Sequence, residues 1–279
     1  LIAQAAEPPY NPLGSAWAVS GTGRPGAPSS HLMKEPLMFS PKLRLLLGLA
    51  AVTALALALT ASSPVNAGDG GFVKVFNGKD MTGFKYVVAI PKTVEVDGKK
   101  KTVFTLEKGD DPLKSSTKTW KVEDGIIMCT GKPNGYFYMD KNLKNYVVKF
   151  DWKYARPPDL KDDEKFLGNS GYLAHITGDH KVWPKCVEIQ GMNKEHAKIF
   201  AIGGAKGKYT FDADALKKAR KPVGEWNTTE IIFDGGKITS KVNGVVIGDG
   251  EGELSEGPWG MQSEGAEIHF KNIMIMVKK

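Results

Sequence analysis

In "PKCVEIQG" (184–191) a glutamate and a glutamine alternate with apolar residues. Alternate side chains of an extended chain face opposite ways. Val187 and Ile189 therefore commit one face to a core, while Cys186, Glu188 and Gln190 share the other. Glutamate is depleted in strands, so Glu188 beside two core positions is a candidate proton-transfer group, and Gln190 a candidate for binding hydroxyls. Upstream, "GYLAHIT" (171–177) sets Leu173, His175 and Thr177 on one face and Tyr172, Ala174 and Ile176 on the other. The short link "GDHKVW" makes the two runs antiparallel neighbours. A favourable register then brings His175 beside Glu188 and Gln190.

Three further residues extend this set. Asp151 continues the polar face from the preceding run, although between Lys149 and Lys153 it also reads as an ordinary exposed position. Asn169 and Ser170 lie in "GNSG" (168–171), a turn that lets backbone approach a ligand, or simply turns the chain. An imidazole, a carboxylate, an amide and an aspartate on one sheet face can bind a polyhydroxylated ligand and move a proton. Trp183, Trp259, Tyr136 and Tyr138 could stack on sugar rings, with core packing the expected role of most of them. His180 reads as an exposed loop histidine, and His196 and His269 join no comparable group.

What is missing narrows the chemistry. Hydrolysis by two carboxylates needs an acid and a second carboxylate at a set separation. Glu188 is followed on its own strand by Gln190 and Met192, so simple two-carboxylate hydrolysis is disfavoured unless Asp151 or a loop acid supplies the partner. No Gly-x-Ser-x-Gly elbow, His-Glu-x-x-His pair or Gly-Lys-Ser/Thr loop is present, and no nucleotide or organic cofactor is expected.

The elements that must position these residues are strands. "NYVVKFDWKYA" (145–155) alternates Val148, Phe150, Trp152 and Tyr154 with Lys149, Asp151 and Lys153. Asn243-Gly244 between "TSKV" and "VVIG" is a hairpin turn whose residues both tolerate positive φ. Gly235-Gly236 marks a second tight turn, and Asp97-Gly98 the turn of a hairpin within 94–104. One short helix is expected in "DADALKKARK" (212–221), capped by Asp212 and stopped by Pro222. Many short strands with regular turns predict an all-β sandwich or jelly roll.

Lys42 and Arg44 precede an uncharged apolar run (45–61) that ends in small residues. This is the order of a secretory signal peptide cleaved after Ala67, with an uncleaved anchor as the rival reading at the short limit of a span. The expected organisation is an upstream extension (1–32), a signal segment (33–67) and one β-sandwich domain (68–279), exported to the periplasm or beyond the cell. The net charge of +7 is carried by scattered lysines; no basic stripe indicates nucleic acid. Cys129 and Cys186 each fall inside an expected strand and read as buried free thiols rather than a bridge.

An ordered set of segments resembles one family. "FVKVFNGKDMTGF" (72–84), "WKVEDGIIMCTG" (120–131), "GNSG", "VEIQ" (187–190), "GEWNT" (224–228), "VNG" (242–244) and "GPWGMQSEGAEIHFKNI" (257–273) are similar to the DUF1080 domain, described as a 3-keto-disaccharide hydrolase. The resemblance covers nearly all of 68–279. It implies a concanavalin A-like jelly-roll sandwich in an exported bacterial protein acting on oxidised sugars. Gln262 of the last segment joins the candidates for substrate binding. Many members carry a histidine just after this glutamine; here Ser263 and Glu264 follow it.

The implied chemistry is elimination. A C3 ketone acidifies the proton at C2; a base removes it, the C1 glycosidic oxygen leaves, and water then adds. On this reading Glu188 or His175 is the base, Gln190 and Asn169 orient hydroxyls, and a divalent cation held by Glu188, His175 and Asp151 polarises the ketone. A non-catalytic carbohydrate-binding module is the alternative, since one fold hosts both; a cell-surface scaffold is a third reading.

Overall fold

The computed structural model describes residues 67, 68 and 71–278. The expected upstream extension and signal segment lie outside these residues, apart from Ala67. In chain order the strands are β1 (Ala67–Gly68), β2 (Phe72–Lys74), β3 (Lys85–Val96), β4 (Lys99–Gly109), β5 (Trp120–Glu123), β6 (Ile126–Cys129), β7 (Gly135–Leu143) and β8 (Tyr146–Tyr154). They continue as β9 (Gly171–Thr177), β10 (Lys185–Gln190), β11 (Ile199–Ile202) and β12 (Gly207–Tyr209). After helix α1 (Ala213–Ala219) come β13 (Asn227–Asp234), β14 (Lys237–Val242), β15 (Val245–Gly252), β16 (Gly257–Ser263) and β17 (Ile268–Val277).

Two antiparallel sheets form a sandwich. The seven-stranded sheet runs β11-β10-β9-β16-β7-β3-β4. The ten-stranded sheet runs β1-β2-β17-β8-β13-β14-β15-β12, with β6 on β17 and β5 on β6. This is the all-β sandwich that the strand pattern predicts. Alternation builds the layer between the sheets: Tyr146, Val148, Phe150, Trp152 and Tyr154 of β8 are buried, and Lys149, Asp151 and Lys153 point the other way. They meet Tyr172, Ala174, Val187, Ile189, Trp259 and Met261 from the seven-stranded sheet. Tyr172 stacks on Trp259 with ring centroids 5.4 Å apart; truncating a ring in such a layer costs about 3–5 kcal/mol.

The turn chemistry follows the local rules. Asn243 and Gly244 take φ of 49° and 85° between β14 and β15, and Asp97 and Gly98 take 54° and 68° between β3 and β4. Asp212 caps α1 by accepting from the Ala215 amide at 2.8 Å. Cys129 and Cys186 are free and buried. Among the described residues no helix is long and apolar enough to cross a membrane.

One strand departs from simple alternation, and it decides where His175 goes. β9 and β10 pair as Glu188↔Leu173 and Val187↔Ala174, but the register shifts before Lys185↔Thr177. Two residues of β9, His175 and Ile176, thus oppose Cys186 alone. His175 sits at this bulge with φ 54°, and such an extra residue re-aims the side chains that follow it. Gly257 makes room: a Cβ there would lie 2.7 Å from the His175 carbonyl carbon.

Candidate functional site

Glu188 lies on the outer face of the seven-stranded sheet, away from the inter-sheet layer that holds Val187 and Ile189. An apolar cluster of Val87, Tyr136, Tyr138, Leu173, Ile176 and Cys186 covers this face beside it. The loop after β9 folds over part of the cluster. His180 stacks on Tyr138 with centroids 4.0 Å apart, and its Nδ1 is 2.8 Å from the Tyr136 hydroxyl. His180 is thus a packed anchor of this loop, not the free exposed residue expected.

The centre of the site is a space left by glycine. A Cβ on Gly171 would lie 2.9 Å from Glu188 Oε1 and 2.8 Å from Gln262 Oε1. The carboxylate and the amide therefore converge over the bare backbone of β9. Gln262 Oε1 is buried without a hydrogen-bond partner, a condition native proteins usually avoid unless a site requires it.

Glu264 completes the arrangement. It follows the end of β16, and Asn169 meets it through isolated β-bridges to Glu264 and Gly265. Burial raises the pKa of Glu264, an effect partly offset by the Asn169 side chain, which donates to its carboxylate. Glu188 is pushed up to about 8, first by burial and then by the charge of Glu264. Removing a charge from water favours its neutral form, and a nearby like charge adds to this. Burial first, and the charge of Glu264 second, hold the proton on Glu188.

The other candidate residues are dispersed. Ser170 Oγ donates to the Gln262 carbonyl at 2.8 Å and braces β16 against β9. Gln190 turns its Oε1 back to accept from the amides of Gly191 and Met192, at 2.8 and 3.0 Å; it holds a turn. Asn169 reaches the site through Glu264. Contrary to expectation, His175 does not join Glu188: past the bulge it packs in the inter-sheet layer, 5.0 Å from Phe233 and 6.2 Å from Tyr146 between centroids. Its Nδ1–H donates to the Leu254 carbonyl at 3.1 Å, and burial lowers its pKa. Asp151 lies on the outer face of the ten-stranded sheet, where it accepts from Thr228 Oγ1 and Asn272 Nδ2, both at 2.7 Å. It cannot extend the Glu188 face because its strand belongs to the opposite sheet.

Glu188, His175 and Asp151 therefore do not fit a shared cation. They point to an outer face, an inner layer and the far side of the sandwich, and among the described residues no cluster of three His, Cys, Asp or Glu could hold a metal. Of the aromatic candidates, Trp259 is buried in the inter-sheet layer, Tyr136 and Tyr138 floor the outer face, and Trp183 is 49% exposed.

Residues 71–276 match the model of the 3-keto-alpha-glucoside-1,2-lyase-like domain. The chain belongs to this family. Membership places the 3-keto-alpha-glucoside-1,2-lyase-like chain among carbohydrate-active domains, with carbohydrate as the substrate class. Its fold is similar to that of a proposed glycosyl hydrolase from Parabacteroides distasonis, with 22% identity, a TM-score of 0.50, and coverage of 75% of this chain and 94% of that one. A second such protein from the same organism gives 21% identity and a TM-score of 0.45 over 59% and 93%. A carbohydrate-binding module from Bacillus subtilis gives 12% and 0.39 over 57% and 91%. No curated protein matches the lyase-like chain. Within its family sequence, Glu264 is the functional candidate that strand alternation missed. The signal was the carboxylate two residues beyond Gln262.

Proposed function

We propose that the protein cleaves 3-keto glucosides by removing the C2 proton and expelling the C1 oxygen, with Glu188 and Glu264 as the proton-transfer pair. The observation that carries this reading is the convergence of Glu188 and Gln262 over Gly171, with Glu264 close enough to act on Glu188. Glu188, held protonated by its burial, is the acid of this reading, and Glu264 is the base.

The ionised Glu264 takes the proton from C2. The C–H electron pair becomes an enolate conjugated with the C3 oxygen. Turned about its last torsion, the Gln262 amide presents N–H to that oxygen as charge develops there. The enolate then collapses: C1=C2 forms, the C1–O bond breaks, and Glu188 delivers its proton to the leaving oxygen. Water adding across C1=C2 completes a net hydrolysis. His175 has no part in these steps, and none is routed through a metal. The reaction is assigned outside the cytoplasm, following the leader expected at 33–67.

The test is release of free aglycone from a 3-keto glucoside by the purified protein, with Glu188→Gln and Glu264→Gln as paired controls. Loss of turnover in both, with sugar binding retained, is the expected result. Binding without turnover in the unaltered protein would instead indicate a carbohydrate-binding module.

A further inference from the structure

A groove of about 700 Å³ lies against the β3–β4 hairpin, walled by its Pro91 and Phe104, by Pro133, and by Val182 and Trp183 ahead of β10. Its size falls within the range of small-molecule sites. Three connections join it to the site. Ser263 Oγ donates to the Pro133 carbonyl at 2.9 Å, and the Gly265 amide donates to the Gly131 carbonyl at 2.9 Å; the groove's end is thus fixed to the segment carrying Glu264. Tyr136, buried beneath His180, pairs with Gln262 on one side and Val87 on the other, which ties the strand under the groove to the strand carrying the amide. Trp183 lies five residues before Glu188 on the segment entering β10.

Phe104 and Trp183 are 66% and 49% exposed. Two large aromatic rings left in water at one groove are a liability unless something covers them. The walls are mostly apolar, no carboxylate lines them, and Thr117, Lys132 and Asn134 supply the polar groups. A second sugar carries hydroxyls on every edge, which these walls would leave largely unpaired. A flat aromatic ring meets Trp183, Phe104 and the two prolines without that cost.

We infer that this groove is an aglycone subsite, and that the protein acts on glycosides of aromatic alcohols. The inference rests on the proposed cleavage for its place in the reaction, but the subsite can be measured without turnover. Calorimetry of unoxidised phenyl and methyl glucosides, in both anomers, separates the ring from the sugar. Phenyl glucoside should bind roughly tenfold more tightly than methyl glucoside, and Trp183→Ala and Phe104→Ala should each erase most of that difference. Both side chains are exposed, so neither change threatens the fold.

Equal affinities in the unaltered protein, or a preference that survives both substitutions, overturn the subsite. So does a Trp183→Ala effect confined to self-association, which would make the rings a contact between two copies. Turnover of 3-keto glucosides with no aryl preference removes the subsite and leaves the chemistry standing. Aryl preference without turnover does the reverse.

Discussion

Glu188 Oε1 and Gln262 Oε1 both lie within 3 Å of the point where residue 171 would carry a Cβ. The backbone of Gly171 needs no positive φ, so glycine is there for space. Gly171→Ala should therefore push the Glu188 carboxyl and the Gln262 amide out of place while leaving β9 paired. We expect turnover of a 3-keto glucoside to fall at least tenfold, with a stability loss of about 1–3 kcal/mol from overpacking. Steady-state kinetics and a thermal melt on the same preparation check both parts.

Stability should report the buried acid directly. The folded-state pKa of Glu188 is raised from 4.5 to about 8. Between those values the folded protein holds a proton that the unfolded chain has lost, so the stability contributed by this group falls as pH rises through the window. The slope is at most about 1.4 kcal/mol per pH unit. Glu264 shifts in the same direction, so the comparison must be with Glu188→Gln, which removes only the first group. The variant should gain on the original protein from pH 5 to pH 8. Denaturant melts at four pH values measure the gap.

His175 and Asp151 serve as controls for position. His175→Asn keeps a residue tolerant of positive φ at the bulge but removes a ring packed against Phe233. It should cost about 1–3 kcal/mol while leaving turnover per folded molecule within a few-fold. Asp151→Asn loosens two surface hydrogen bonds and should leave turnover unchanged. A hundredfold loss in either would mean that the site extends through the sandwich.

Much of the fold was legible because its signals are local. The alternation in β8, the Asn243-Gly244 turn and the Asp212 cap each depend on a few neighbouring residues, and the face of Glu188 followed from Val187 and Ile189. The site was harder to read because its parts meet through long-range pairing. His175 changed faces through a bulge accommodated by Gly257, distant in sequence. Asp151 was lost because the chain changes sheets between β8 and β9. Glu264 could not be placed by alternation, since it lies past the strand end and reaches the site through Asn169 on another segment.

Proton roles have a signature of their own. If Glu188 gives its proton to the leaving oxygen, kcat/KM must fall as pH rises past about 8, where that proton is lost. If it were the base, the rate would climb through the same range. An activated aryl leaving group needs little protonation, so its pH dependence on the alkaline side should flatten.

The pH–rate profile of 3-keto glucoside cleavage, taken for the unaltered protein and for Glu188→Gln, tests the central claim most directly. The account predicts an alkaline limb near pH 8 and a drop in kcat on the order of 10²–10⁴ in the variant. Undiminished cleavage by Glu188→Gln, or a rate that rises through pH 8, would contradict it.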